Sequence, residues 1–254
     1  MTIQIKAATG FNQGADAYER GRPDYPQEAV EFMLQSLAVG PASTLVDLGA
    51  GSGKFTRLLV AAGMRPIAVE PVAAMRTKFR QLLADIAVLD GSAEHIPVQD
   101  SSIDAVVAAQ AFHWFDGEAA LKGIHRVLKP GGKLGMIWNV RDESLPLMAD
   151  LTRIMDPHED VAPRYRTMEW KKAFDQSTLF TALQQQDFPY EQVGDTQMVV
   201  DRIGSVSFIS ALPAETKLRV LDQVRQAVAR HQQAQGSAVI KLPYRSTIFW
   251  CAKK

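Results

Sequence analysis

A chain of 254 residues with 46% hydrophobic and 22% charged side chains has room for one sizeable α/β domain with a buried core, and this composition is not that of a disordered protein. The 28 basic and 28 acidic residues give a net charge of zero, which disfavours RNA or DNA as the partner because the whole molecule offers a polyanion no attractive field. No apolar run reaches the roughly 18 residues of a membrane span, the first residues lack the pattern of a signal peptide, and the single cysteine suits a reducing compartment, so we expect a cytoplasmic protein that does not bind membranes.

Short β-rich runs alternate with amphipathic helical patterns from about residue 26 to residue 139, as the βαβ units of a parallel sheet do. The predicted strands are apolar enough to be covered on both faces, and they span 44–48, 66–70, 86–89, 103–109 and 133–139. Predicted helices fill the gaps over 28–37, 55–62, 73–83 and 118–128. Residues 130–132, Pro-Gly-Gly, are predicted to form the turn that leads into the fifth strand.

The regular alternation ends after residue 139. Residues 142–187 predict helical pieces with aromatic side chains and no parallel strand, which indicates a helical insertion. A strand over 192–200, a helix over 214–231 and a last strand over 244–252 then complete the sheet. We therefore expect a single domain over 1–254, made of an N-terminal lid and first helix (1–40), a cofactor-binding core (41–140), a helical cap (142–190) and C-terminal strands and helices (191–254).

The most informative stretch is residues 46–53, VDLGAGSG, where the first predicted strand runs into three alternate glycines and then a helix. Such glycines permit a tight turn with positive φ and let a ligand approach the backbone, while the helix offers free N–H groups. A dinucleotide fingerprint would need its third glycine where Lys54 stands, and a Walker A loop would need Ser or Thr where Phe55 stands. The spacing therefore argues against NAD and against ATP.

Glu70 ends the second predicted strand, 23 residues after Asp47. At this separation a doubly wound fold places a carboxylate that accepts hydrogen bonds from the hydroxyls of a ribose. The sequence therefore predicts a ligand that contains a ribose, with Glu70 as the residue that binds it.

The segment 46–53 resembles motif I of the class I S-adenosylmethionine-dependent methyltransferases. Four further segments agree with that family in order and spacing: 69–71 (VEP), 91–97 (GSAEHIP), 103–107 (IDAVV) running to 113–115 (HWF), and 126–132 (RVLKPGG). Residues 18–26 (YERGRPDYP) and 110–115 (QAFHWF) look like the methyltransferase type 11 group, which includes trans-aconitate methyltransferase-like enzymes. The resemblance implies a Rossmann-like, doubly wound and mostly parallel sheet of seven strands, with an antiparallel last strand and a helical insertion after the fifth.

The resemblance also implies S-adenosylmethionine as the cofactor and a set of residues that bind it. Asp47, Gly49, Ala50 and Gly51 would border its methionine part, and Glu70 would take the ribose. Pro71 or Val72 would cover one face of the adenine, Ser92 and Ala93 would read the polar edge of that base, and Gln110 would lie under the sulfonium end. Tyr18 and Arg22 would form a lid, with Arg22 paired to the cofactor carboxylate. Ser92 departs from the family, since many relatives carry Asp there, so the contact to the adenine amino group is expected to be weaker or to come from the backbone.

Methyl transfer depends mainly on alignment and desolvation, so a dedicated base is optional. His113 is the histidine that the motifs place near the reacting end, and it is predicted either to act as a general base for a hydroxyl acceptor or to pack beside Trp114. Side chains at the carboxyl ends of the fourth and fifth strands are expected to line the acceptor side; they are His113, Trp114, Phe115, Trp138, Asn139 and, for an acidic acceptor, Arg141. Arg164, Tyr165 and Trp170 could reach the acceptor side from the insertion, but ordinary packing within the cap is favoured for them.

The sequence thus predicts an enzyme that methylates a small molecule, with a carboxylate or a hydroxyl favoured as the acceptor group. It predicts no metal site, and either a monomer or a homodimer. Two alternatives stay open: an RNA or protein methyltransferase, and a non-catalytic protein that binds S-adenosylmethionine. Against nucleobase amines, the fourth strand ends in Gln110-Ala111-Phe112-His113 and lacks the Asn/Asp-Pro-Pro-aromatic run of such enzymes.

Overall fold

A computed structural model describes residues 19–159 and 163–254. Its strands are β1 (Leu45–Leu48), β2 (Ile67–Val69), β3 (Val88–Leu89), β4 (Ile103–Ala109), β5 (Leu128–Arg141), β6 (Gln184–Gly194) and β7 (Ile240–Ala252). Its helices are α1 (Gln27–Leu37), α2 (Lys54–Ala61), α3 (Ala73–Leu82), α4 (Gly117–Val127), α5 (Pro146–Met155), α6 (Lys172–Asp175), α7 (Thr196–Gly204), α8 (Ser207–Ser210) and α9 (Ala214–Gln235). Short 3-10 turns lie over Phe112–Trp114, Asp156–His158, Tyr165–Thr167 and Glu169–Lys171.

The strands form one seven-stranded sheet in the order β3-β2-β1-β4-β5-β7-β6. Strands β1 to β5 pair in parallel, whereas the last strands are antiparallel. The chain moves outward from β1 through β2 to β3 and then returns to the other side of β1 with β4. This reversal creates a topological switch point at the carboxyl ends of β1 and β4, where open α/β sheets bind ligands. The predicted fold class is confirmed.

Contacts divide the chain into two compact units. The core unit comprises Tyr25–Asn139, Pro163–Phe188 and Ser246–Lys254, and it contains β1 to β4 with α1 to α4. Its parallel strands are mostly buried, and every residue of β1 is inaccessible to solvent. Burial on both faces explains why these strands read as continuous apolar runs.

The described part of the helical unit comprises residues 19–24, 140–159 and 189–245. Helices α5, α7 and α9 supply its apolar cluster. The long helix α9 ends at Gly236, whose φ of +63° permits the left-handed cap. The expected cap over 142–190 is therefore shared between the two units, and its last residues belong to β6.

Most predicted elements agree with the observed ones to within a few residues, and β4 matches its predicted bounds. The predicted strand over 192–200 is wrong, because β6 ends at Gly194 and α7 follows at once. Asp195 begins the helix, since its side chain accepts a hydrogen bond from the N–H of Met198 at 2.9 Å. Strand β6 has only one buried residue, Gln192, so it carries no apolar alternation that a sequence pattern could detect.

The Pro-Gly-Gly segment is also not the predicted turn, because residues 130–132 lie inside β5. Ile103 pairs with Leu128 and Ala105 pairs with Lys133, so β5 has additional residues opposite β4 at this point. Gly131 has a φ of +73° and accommodates the irregularity.

Candidate functional site

The glycine loop follows β1 at the switch point. Gly49, Gly51 and Gly53 all have positive φ, at +73°, +59° and +89°. The N–H of Gly49 donates to the carbonyl of Val69 at 2.8 Å, which ties the loop to β2. A Cβ at Gly51 would meet no atom within 4 Å, whereas one at Gly53 would lie 2.6 Å from Leu83 Cδ1. Gly53 is thus needed for packing, and Gly51 lines open space.

Glu70 lies beside this loop at the carboxyl end of β2. Its carboxylate accepts hydrogen bonds from the N–H of Gly51 at 2.9 Å and from the N–H of Val72 at 2.8 Å. Burial raises the pKa of Glu70, and the two N–H donors oppose that rise. Arg76 donates to the Glu70 carbonyl at 2.8 Å and also to Asp90 at 2.7 Å, which fixes the backbone at this point.

Asp47 is a second carboxylate at the loop, and it is completely buried. Its Oδ2 accepts a hydrogen bond from Thr56 Oγ1 at 2.6 Å, while its Oδ1 has no hydrogen-bond partner among the described residues. Burial raises the pKa of Asp47 to about 7 despite the bond from Thr56, and the nearby Glu70 adds to the rise. A buried carboxylate oxygen without a donor is unusual and is explained when a ligand supplies the donor.

The loops after β2 and β3 hold the residues predicted for adenine. Pro71 is exposed and follows Glu70 directly. Ser92 and His95 exchange backbone hydrogen bonds of 3.3 and 3.2 Å, which makes a tight turn. Ala93 is buried, and a Cβ at Gly123 of α4 would lie 2.4 Å from its carbonyl oxygen, so this turn packs closely against α4.

Gln110 ends β4 with a φ of +55°, a conformation that is uncommon for a residue other than glycine. Its N–H donates to the carbonyl of Ile137 at 2.8 Å, and its Nε2 reaches the carbonyl of Asn139 at 3.5 Å. The next residue, Ala111, abuts the glycine loop: a Cβ at Gly49 would lie 2.8 Å from Ala111 Cβ. Such local strain is often found at functional sites.

A cavity of about 290 Å³ lies beside the turn over Phe112–Trp114. Two of the predicted acceptor residues, His113 and Phe115, line it, and the other lining residues are Phe112, Gly117, Glu118, Pro163, Arg164, Glu169, Trp170, Ala173 and Gln176. Phe115 also borders the glycine loop, because a Cβ at Gly49 would lie 3.4 Å from its Cζ. The cavity and the loop therefore share a wall.

Trp138 does not line this cavity, because its side chain is completely buried, and its predicted contact with an acceptor stays a prediction. Its indole Nε1 donates a hydrogen bond to Nδ1 of His113 at 3.1 Å. Aromatic rings surround it, with centroids at 4.7 Å for Trp170, 5.0 Å for Tyr165 and 5.9 Å for Phe249. Trp138 thus lies behind His113, in the wall of the cavity.

Two other predicted acceptor residues of the core unit lie outside the lining set. The ring of Trp114 lies 5.2 Å from the ring of His113, so the two pack side by side. Asn139 is buried, and its Oδ1 accepts a hydrogen bond from Ser246 Oγ at 2.5 Å. This bond engages the Asn139 side chain with β7.

The remaining predicted residues belong to the helical unit or are not described. Arg22 donates from Nη2 to the carbonyl of Ser205 at 3.0 Å, and Nη1 of Arg141 lies 3.6 Å from the sulfur of Met155. Tyr18 lies outside the described residues. The roles predicted for these three residues stay predictions.

Sequence reasoning placed Arg164 and Trp170 in ordinary cap packing, yet both line the cavity. The available signal was the density of aromatic residues over 165–180. Trp170 Nε1 donates to the carbonyl of Tyr165 at 3.3 Å, which holds the segment as consecutive 3-10 turns. Glu169 and Gln176 carried no signal, because surface glutamate and glutamine are common in any helical segment.

No helix over 19–159 or 163–254 has the length and apolarity to cross a membrane. In the same part of the chain, no group of three or more His, Cys, Asp or Glu residues is arranged to hold a metal ion.

Comparison with known proteins gives a consistent answer. The family described as a methyltransferase domain, type 11, matches residues 46–136. An uncharacterized methyltransferase of Mycobacterium tuberculosis strain H37Rv is 38% identical over 92% of this chain and 91% of its own length. An uncharacterized methyltransferase-like protein of Schizosaccharomyces pombe is 34% identical over 100% of this chain and 99% of its own.

Solved structures support the fold. A candidate type II methyltransferase from Anaeromyxobacter dehalogenans superposes with a TM-score of 0.67 at 22% identity, covering 92% of this chain and 97% of its own. The YcgJ protein from Bacillus subtilis gives a TM-score of 0.58 at 20% identity, covering 90% and 99%. With the glycine loop, the switch point and these relatives together, the chain belongs to the class I S-adenosylmethionine-dependent methyltransferases, in the type 11 group.

Proposed function

We propose that this protein transfers the methyl group of S-adenosylmethionine to a small-molecule acceptor that binds in the cavity beside His113. One observation carries the proposal, namely the position of Phe115, which lines the cavity and also borders the glycine loop at Gly49. A methyltransferase needs its two ligands in contact, because the acceptor must meet the methyl group in line with the bond that breaks. A shared wall supports this arrangement.

The residues at the loop fit the proposed cofactor. The open space at Gly51 supports the close approach of a ligand to the backbone, and the carboxylate of Glu70 supports a ribose. The Oδ1 of Asp47, which has no hydrogen-bond partner among the described residues, supports a donor such as an ammonium group. When bound, S-adenosylmethionine supplies a methyl group that its positive sulfur has already activated for displacement. Pro71, Ser92, Ala93 and Gln110 complete the set that we assign to cofactor binding.

Cavity size and chemistry support a small acceptor. A volume of about 290 Å³ lies at the lower end of the range for small-molecule sites. Phe112, Phe115 and Trp170 provide apolar walls, while His113 and Arg164 provide hydrogen-bond donors. This combination favours an acceptor with an apolar body and an oxygen group, a carboxylate or a hydroxyl.

A metabolite panel tests the proposal. The purified protein is incubated with S-adenosylmethionine and, one by one, with small carboxylic acids, phenols and alcohols, and the release of S-adenosylhomocysteine is measured. We expect turnover with an acid or a hydroxyl compound, and mass spectrometry then identifies the methylated atom. Activity on RNA or protein alone would contradict the small-molecule proposal, and binding of the cofactor without turnover of any acceptor class would indicate a non-catalytic protein.

A further inference from the structure

The hydrogen bond between Trp138 and His113 fixes the protonation pattern of the histidine. The indole Nε1 of Trp138 carries a hydrogen and can only donate, so Nδ1 of His113, at 3.1 Å, must accept with its lone pair. A neutral imidazole has one proton to place, and that proton must then be on Nε2. A second proton on Nδ1 would face the indole N–H, so this contact also disfavours the charged ring.

The donor cannot easily move away. Trp138 has no solvent-exposed surface, and the rings of Trp170, Tyr165 and Phe249 lie within 6 Å of its own ring. Rotation of the indole would break this packing and would leave a buried N–H without its acceptor, which is costly. The aromatic cluster therefore holds the N–H against His113.

His113 lines the cavity that we assign to the acceptor. We propose that Trp138 is a positioning residue that holds His113 as the neutral Nε2–H tautomer, so that His113 donates a hydrogen bond to an oxygen of the acceptor and does not take a proton from it. A general base needs a lone pair that faces the substrate. In this tautomer the Nδ1 pair is engaged by Trp138, and Nε2 carries a hydrogen. The inference rests on the proposed acceptor pocket, and it replaces the general-base role that the sequence allowed for His113.

The tautomer can be measured without cofactor or acceptor. The protein contains five histidines, so the ring nitrogens of His113 can be assigned in a nitrogen-15 spectrum by their loss in His113→Gln. We expect an unprotonated Nδ1, a protonated Nε2 and a scalar coupling across the hydrogen bond to the indole nitrogen of Trp138. A proton on Nδ1 of the wild-type ring at neutral pH would overturn the inference and would leave the methyl-transfer proposal standing.

Two tryptophan variants test whether Trp138 determines the tautomer of His113. Trp138→Phe keeps an aromatic ring but removes the N–H, so we expect the coupling to vanish and the His113 nitrogens to shift towards a mixture of tautomers. Trp170→Phe is the matched control, because Trp170 packs in the same cluster but its N–H donates to the carbonyl of Tyr165. If Trp138→Phe left the His113 nitrogens unchanged, or if Trp170→Phe shifted them equally, Trp138 would not be the positioning residue.

Kinetics with the acceptor identified by the panel separate a donor from a base. Glutamine can place an amide N–H near the position of Nε2 but cannot take a proton. We therefore expect His113→Ala to lower kcat/KM. We expect the kcat/KM of His113→Gln to be about tenfold higher than that of His113→Ala, which is the scale of one hydrogen bond. Equal loss in both variants, with the folded state intact in each, would contradict the donor role.

Discussion

The glycine loop and the cavity beside it are built in different ways. The loop is a backbone structure, since the positive φ of Gly49 and Gly51 and the Gly51 N–H that donates to Glu70 come from one continuous stretch of chain. The cavity is a side-chain structure, and its walls come from two segments, 112–118 and 163–176, that are distant in sequence. A site of this kind can change its acceptor by side-chain substitution in the cavity while the loop stays the same.

The largest effect is expected where the loop admits no side chain. Gly51→Val places a β-branched residue at a φ of +59° and fills open space, so we expect the affinity for S-adenosylhomocysteine to fall by about 100-fold or more. Gly131→Val is the matched control, since Gly131 has a φ of +73° and also no atom within 4 Å of its Cβ position. Calorimetric titration of both variants checks this. Equal loss of affinity would indicate strain in the fold and not a ligand at Gly51.

The next effect is expected at Glu70, whose carboxylate accepts a hydrogen bond from the N–H of Gly51 in the loop. Glu70→Gln keeps the volume but removes the charge and one acceptor, so we expect cofactor affinity to fall by about 1 to 3 kcal/mol. Asp104→Asn serves as the control, because Asp104 accepts from the N–H of Thr44 at 2.8 Å at the amino end of β4. A Glu70→Gln variant that bound S-adenosylhomocysteine with wild-type affinity would show that this carboxylate only stabilises the loop.

A smaller, more selective effect is expected in the cavity. Arg164→Gln removes a charged donor, so we expect the KM of an anionic acceptor to rise by about tenfold with little change in cofactor affinity. Arg166→Gln is the control, because Arg166 lies in the same 3-10 turn region but does not line the cavity. Steady-state kinetics with the identified acceptor compare the two. Identical KM values for both variants would remove Arg164 from the acceptor pocket.

The last expected effect is on the pH dependence of stability. Burial raises the pKa of Asp47 from 3.8 to about 7, so the folded protein retains a proton that the unfolded chain loses. The stability that this residue contributes is therefore fully present below pH 3.8 and is lost as the pH rises to about 7. We expect the melting temperature of Asp47→Asn to fall less than that of wild type between about pH 5 and about pH 8. If the melting temperatures of the two proteins fell by the same amount over this pH range, the raised pKa of Asp47 would be contradicted.

These two regions also explain what the sequence could predict. The glycine loop and Glu70 could be predicted from the sequence, because local spacing determines where consecutive residues lie after a strand. The lining of the cavity could be predicted only in part. His113 and Phe115 follow β4 directly, whereas Arg164 and Trp170 reach the same cavity through tertiary packing. Trp138 was placed at the correct strand end, yet the side of the strand that it faces depends on Tyr165 and Trp170, whose positions no local pattern predicts. Strand β6 was misplaced for a similar reason, because a polar strand has no apolar periodicity.

The central claim is that the glycine loop binds S-adenosylmethionine and its product. Titration of the wild-type protein with S-adenosylhomocysteine in a calorimeter tests it most directly. We predict saturable binding of one ligand per chain, which raises the melting temperature. Gly51→Val is expected to weaken this binding by about 100-fold or more, whereas Gly131→Val is expected to preserve it. An absence of heat and of thermal stabilisation at millimolar ligand, or binding that Gly51→Val leaves unchanged, would contradict the account.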